Sequence, residues 1–261
     1  MIEVEHLRKC FGDKVAVDDL SLQVPAGQIY CFLGPNGAGK TTTIKILTGL
    51  LRPTAGRARI GGFDVQENPI AAKRLIGYIP DMPFMYERLT ASEFIEFMGD
   101  LYDVPRERVR AEMESSFDLF GIAEYRNALI KELSHGLRQR LIYCATFLHE
   151  PRVLFVDEPL TRLDPHTIRL LKDLLIARAR AGLTIFLTTH ILALAEDVAD
   201  RIGIITNGRL VAEGTVDELR RRSGGKNLED IFLRLTGEED GTQRRTPNVQ
   251  QPTSNVQRSE T

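Results

Sequence analysis

One stretch restricts the possible folds more than any other. Gly34-Pro35-Asn36-Gly37-Ala38-Gly39-Lys40-Thr41 follows the apolar run Gln28–Leu33 and leads into Thr42-Thr43-Ile44-Lys45-Ile46-Leu47. It fits the G-x-x-x-x-G-K-[ST] pattern in the strand–loop–helix setting that this pattern requires. Glycines let successive backbone N–H groups turn inward and approach phosphate oxygens closely. A helix starting near Lys40 points its positive end at the same place. Lys40 adds a point charge for the β and γ phosphates, and the Thr41 hydroxyl is a candidate Mg²⁺ ligand with Thr42 beside it. The loop alone does not choose among kinases, GTPases and ATPases.

A loop of this kind needs an α/β body, and the rest of the chain supplies one. Apolar runs suited to strands recur at Gln28–Leu33, Ile76–Ile79, Val153–Val156, Thr184–Thr188 and Ile202–Thr206, with helical patterns between them. That alternation implies a mainly parallel sheet. Near the N-terminus, Ile2–Leu7 and Leu20–Val24 read as short antiparallel strands, with turns at Gly12-Asp13 and Pro25-Ala26-Gly27. From about Thr90 to Lys131 the strand signal stops. Thr90-Ala91-Ser92-Glu93 has capping-box spacing and opens a helical run, and a second helix is expected near Val109–Phe120 with Gly121 as its stop. The expected organisation is an α/β domain over 1–235 with a helical subdomain over about 82–150, then a tail over 236–261. Gly237–Thr261 has only Val249 and Val256 as aliphatic residues, so it is expected to stay disordered.

Charge and composition exclude several classes. The 34 basic and 36 acidic residues give a net charge of −2, without the basic surplus that phosphate-gripping nucleic-acid binders carry. Cys10, Cys31 and Cys144 are far apart, without metal spacing, and point to a reducing compartment. No apolar run approaches the ~20 residues of a membrane-spanning helix, and Met1–Lys14 has no signal-peptide core. Any membrane part of the function is expected on another chain.

Two further signals choose the class. In Val153-Leu154-Phe155-Val156-Asp157-Glu158-Pro159 an apolar strand ends in two acids. Asp157 is placed to hold Mg²⁺, and Glu158, turned to the other face, is a candidate base for the attacking water. Just upstream, Leu133-Ser134-His135-Gly136-Leu137-Arg138-Gln139-Arg140 opens a helix with Ser134 as a good N-cap. Its first-turn N–H groups, Gly136 among them, make a second anion site.

Together these motifs resemble the ATP-binding subunits of ABC transporters, and the last resembles the family's signature sequence. The resemblance covers about residues 1–220 and implies a P-loop NTPase core with an N-terminal antiparallel β subdomain and an inserted α-helical subdomain. It implies that Ser134 of one subunit faces the γ-phosphate held by Lys40 of a second subunit, as in a homodimer. It places Phe11 on the adenine, with Val17 in the same loop, although a core role for Phe11 stays open. Leu160–Pro165 resembles the D-loop, His190 the switch histidine, and Gly208–Gly214 a closing hairpin. Implied ligands are ATP and Mg²⁺. The implied partner is a separate transmembrane permease subunit, which puts the chain at the cytoplasmic face of the membrane. The layout is most similar to two-subunit prokaryotic exporters. The apolar stretch Met82–Tyr86 is either a docking groove for that partner or core packing.

Four positions depart from the family pattern. Asp81 stands where Gln is usual, and can offer an oxygen to Mg²⁺ through water. His135 and Leu137 replace Gly and Gln in the signature, and Arg162 replaces a small residue. Two other readings remain: a soluble, non-transport ATPase of this family, or a regulator that only binds ATP. Glu158 and His190 argue for hydrolysis.

Overall fold

The computed structural model describes residues 1–82, 84–158, 164–222 and 227–236. Its elements run β1 (Ile2–Phe11), β2 (Lys14–Val24), β3 (Ile29–Leu33), α1 (Lys40–Leu47), β4 (Ala55–Ile60), β5 (Phe63–Asp64), α2 (Pro69–Arg74) and β6 (Ile76–Ile79). The helices α3 (Ala91–Leu101), α4 (Arg106–Leu119) and α5 (His135–Phe147) follow. Then come β7 (Val153–Asp157), α6 (Pro165–Arg180), β8 (Thr184–Thr189), α7 (Leu192–Val198), β9 (Arg201–Thr206), β10 (Arg209–Gly214), α8 (Val216–Arg222) and α9 (Leu228–Thr236).

The six-stranded sheet has the order β10-β9-β3-β8-β7-β6. All its pairings are parallel except that of β10 with β9. Strands β3 and β7 are buried at every position, which explains their unbroken apolar sequences. Alternate residues feed two cores. Tyr30, Phe32, Phe155 and Phe186 pack toward α1 and the four-stranded sheet β2-β1-β4-β5. Cys31, Leu33, Val156 and Leu187 pack into a second core that continues through Phe94, Phe117 and Tyr143 of α3, α4 and α5. At about 25 cal/mol per Å² of apolar surface removed from water, these buried apolar side chains hold the sheet to the layers on both faces.

The capping box is formed: the Glu93 amide donates to Thr90 Oγ1 at 3.2 Å, and the Thr90 amide donates to the Glu93 carboxylate at 2.8 Å. Helix α4 starts earlier than expected, behind Pro105, and Gly121 follows it at φ 61°. The first two strands are longer than expected and meet at the Gly12-Asp13 turn. Their pairing slips between Val4 and Leu7 and again near Lys9, and His6 and Asp19 take positive φ. Such bulges interrupt the two-residue period that reveals a strand. Helix α9 buries Leu228, Ile231 and Phe232, so ordered packing runs to Thr236, one residue past the expected domain end. The tail from 237 onward lies outside the described residues.

Candidate functional site

The phosphate-binding loop is shaped by backbone contacts from distant segments. Gly37 and Gly39 have φ of 81° and 110°, which side-chain-bearing residues rarely adopt. A Cβ on Gly34 would lie 2.8 Å from Ile205 Cγ2, and one on Gly39 would collide with the Ala16 carbonyl. The β9–β10 turn, Asn207-Gly208, presses against the same strand, and the Gly208 amide donates to the Ala38 carbonyl at 2.9 Å.

Lys40 is buried, with 6% exposure. Its ammonium donates to the carbonyls of Gly34 at 2.7 Å and Pro35 at 3.2 Å, and lies 3.3 Å from Glu158 Oε1. Glu158 follows β7 with φ 50°, a conformation that costs a non-glycine residue about 1–2 kcal/mol. Its second oxygen lies 3.0 Å from His190 Nδ1. Such strain clusters at functional sites, and here it falls on a charged residue that bridges Lys40 and His190.

Asp157 is 2% exposed. Burial raises its pKa, the Thr188 and Thr41 hydroxyls that donate to it oppose the rise, and the charges of Glu158 and Asp81 add to it. The Tyr78 phenol is pushed up to about 12 by burial, by Asp157 and by Asp81. A buried carboxylate among other carboxylates, joined to a threonine hydroxyl, is a set of hard oxygen donors of the kind Mg²⁺ prefers.

A cavity of about 470 Å³ runs from Phe11 and Lys14 past Asn36, Gly37 and Gly39 to Lys40, Thr41, Thr42, Asp81 and Glu158. A neighbouring cavity of about 530 Å³ shares Thr41 and Asp81 and adds Asp157, Tyr78, Met82 and Phe84. The fold thus gathers most of the residues chosen from sequence. Phe11 is half exposed, and the Lys9 ammonium sits 5.0 Å from its ring centroid.

Other choices lie outside this cavity. Val17 is fully buried among the N-terminal strands, and its neighbour Ala16 lines the cavity instead. Of the loop, Asn36, Gly37, Gly39, Lys40, Thr41 and Thr42 line it, while the Gly34 and Pro35 carbonyls hold the Lys40 ammonium and Ala38 is buried. Ser134 and Gly136 do not line it either. Ser134 is exposed, and its hydroxyl accepts from the Leu137 amide at 3.3 Å. Of the D-loop stretch, residues 160–163, Arg162 included, lie outside the described residues; Asp164 caps α6. Met82 and Phe84 are exposed, Phe84 at 99%, which removes the core-packing reading for them.

Sequence reasoning missed Lys14, which pairs with Phe11 across the β1–β2 hairpin. It also missed Thr188, whose signal was the Thr-Thr-His ending of β8.

The family described as ABC transporter matches residues 17–161, more than half of the chain. The daunorubicin resistance ATP-binding protein DrrA3 of Streptomyces coeruleorubidus is 38% identical over 237 residues, 91% of this chain and 75% of that protein. The daunorubicin/doxorubicin resistance ATP-binding protein DrrA of Streptomyces peucetius is 42% identical over 227 residues, 87% and 69%. A solved structure described as the ATP binding subunit of an ABC transporter superposes with a TM-score of 0.86 at 32% identity, covering 90% of this chain and 99% of that one. The chain belongs to the ABC transporter family, as an ATP-binding, ATP-hydrolysing subunit. Among the described residues no helix is long and apolar enough to cross a membrane, and the subunit powers movement through a separate transmembrane component.

Proposed function

We propose that this chain drives export, at the cytoplasmic face of the membrane, as one half of a homodimer. The reading rests above all on the convergence of Lys40, Asp157, Glu158 and His190 at one end of the parallel sheet, beside the cavity that starts at Phe11. Phe11 stacks on the adenine, and Gly34 to Thr42 hold the phosphates, with Gly37 and Gly39 turning their N–H groups inward. Lys40 offsets charge on the β and γ phosphates. Glu158 accepts a hydrogen bond from the attacking water and orients it, and His190 holds Glu158 from its far side. Thr41 and Asp157 would hold Mg²⁺, with Asp81 offering a further oxygen beside them. When bound, Mg²⁺ supplies charge neutralisation at the phosphate oxygens.

The second half of the site is the N-terminus of α5 in the other subunit, presented through Ser134 and Gly136. A Cβ on Gly136 would meet nothing within 4 Å, so this end has room for another surface. Residues 1–235 act as the ATPase domain. The stretch 82–150 within it contacts the permease, with exposed Met82, Phe84 and Tyr86 as the apolar docking surface. Drug-resistance names among the similar proteins support an exported small molecule as the cargo.

The test is Glu158→Gln. It is expected to keep ATP binding and lose hydrolysis by on the order of 10²–10³-fold, measured as phosphate release. Undiminished release would remove Glu158 from the reaction.

A further inference from the structure

The two ends of the nucleotide cavity are carried by different sheets. The phosphate loop leaves β3 of the six-stranded sheet, whereas Phe11, Lys14 and Ala16 belong to the β1–β2 ribbon of the four-stranded sheet. A nucleotide spanning the cavity needs both ends held at a set separation. Apolar packing between the sheets is non-directional. The turn between β9 and β10 supplies directional contacts.

Asn207 and Gly208 form that turn, with φ of 48° and 78°. Two-residue hairpin turns of this kind need positive φ at both positions. Gly208 joins the two sides with its own backbone. Its amide donates to the Ala38 carbonyl of the phosphate loop at 2.9 Å, and its carbonyl accepts from the Asp18 amide of β2 at 2.9 Å. A Cβ on Gly208 would lie 2.9 Å from the Ala16 carbonyl oxygen and 3.1 Å from Val17 Cα, so β2 rests directly on the glycine. The next residue fastens the contact. Arg209 Nε and Nη2 donate to Asp18 Oδ2 at 2.9 Å and 2.6 Å, and Arg8 Nη1 of β1 lies 3.6 Å from Asp18 Oδ1. The Arg209 side chain is 67% exposed, and an ion pair this open adds little to the stability of a fold. Its rigid fork still fixes where Asp18 sits, two residues along β2 from Ala16.

We propose that Arg209 and Asp18 are positioning residues for the nucleotide. They hold the β1–β2 ribbon against the Gly208 spacer, and so set the distance between the Phe11 ring and the phosphate loop. The proposal rests on the placing of the base at Phe11 given above, and adds what holds base and phosphates apart.

The test compares the non-hydrolysable β,γ-imido analogue of ATP with inorganic tripolyphosphate, which fills the loop and has no base. The full chain as wild type, Arg209→Ala, Arg209→Lys, Asp18→Asn, the Arg209→Ala/Asp18→Asn double variant and Phe11→Ala is titrated with each ligand and Mg²⁺ by calorimetry. Thermal midpoints are recorded without ligand. Arg209→Ala and Asp18→Asn are each expected to weaken the ATP analogue about three- to five-fold, with tripolyphosphate changed less than about two-fold and the midpoint little moved. The double variant is expected to bind no more weakly than the weaker single variant, because both break one link. Arg209→Lys recovers part of the affinity, since a point charge replaces the fork. Charge alone predicts a different pattern: loss of Arg209 would weaken both anions, and loss of the Asp18 charge would tighten both. That pattern overturns the proposal. So do equal losses for the two ligands with a lowered midpoint, which would mean that the pair shapes the phosphate loop itself. Wild-type affinity for the ATP analogue in Arg209→Ala, while Phe11→Ala binds it weakly, also overturns the proposal. If Phe11→Ala binds the analogue as wild type does, the base lies elsewhere, and the proposal falls with that reading of the site.

Discussion

The chain offers helix N-termini to phosphate at two places, and it builds them differently. At α1 the approach is buried and charged: Lys40 is held by two carbonyls and by Glu158, and Asp157 lies buried beside Thr41. At α5 the approach is open, with the Arg138 guanidinium on the Leu133 and Lys131 carbonyls just before the helix. Ser134 is exposed and its hydroxyl accepts from the helix it caps, with room around Gly136. The first arrangement carries charges whose burial is costly unless something of opposite sign joins them. The second presents an exposed hydroxyl and helix N–H groups, which act once another surface closes over them. On the proposed function, a subunit built this way holds one complete half and one unfinished half of a site.

Lys40→Ala should give the largest effect, because it removes the only ammonium held inside the loop among the described residues. Turnover is expected to fall on the order of 10³-fold, with nucleotide affinity lost as well. Retained affinity in a binding titration would show that the loop backbone suffices.

Asp157→Asn separates chemistry from stability in the charged half. Turnover should fall on the order of 10²-fold, while the thermal midpoint of the chain without nucleotide rises. The sign follows from the raised pKa of Asp157. The cost of ionising it is absent below the usual carboxylate range and grows as pH rises through its elevated value. The stability advantage of the Asn variant should therefore widen from acid toward neutral pH in calorimetry. A lower midpoint at neutral pH would mean that the carboxylate holds Thr41 and Thr188 more strongly than burial penalises it.

A smaller effect is expected at the rim. Phe11→Ala should raise KM with kcat little changed, by the ~1–3 kcal/mol typical of base–aromatic stacking, or roughly five- to 160-fold. A lower midpoint with unchanged KM would return Phe11 to a packing role.

The legible parts of this molecule were those fixed by neighbours in sequence. The loop Gly34–Thr41, the buried runs of β3 and β7, and the Thr90–Glu93 capping box each need only local spacing. The extents of β1 and β2 were hidden by bulges at His6 and Asp19. Ala16 rather than Val17 reaches the cavity because a single register position decides which side chain faces inward. Thr188 on Asp157, Lys40 on Glu158 and Arg140 on Asp164 join segments distant in sequence, and only the folded sheet brings them together.

The most direct test of the two-half account mixes two inactive chains. Lys40→Ala spoils the charged half, and Ser134→Glu places a carboxylate where phosphate should land at the other. Each alone should hydrolyse little ATP. If the halves meet across a dimer, mixing the two restores turnover, because mixed dimers contain one site built from an intact loop and an intact α5 end. If the mixture stays as inactive as its components while wild type turns over, Ser134 does not complete a partner's site, and the account is contradicted.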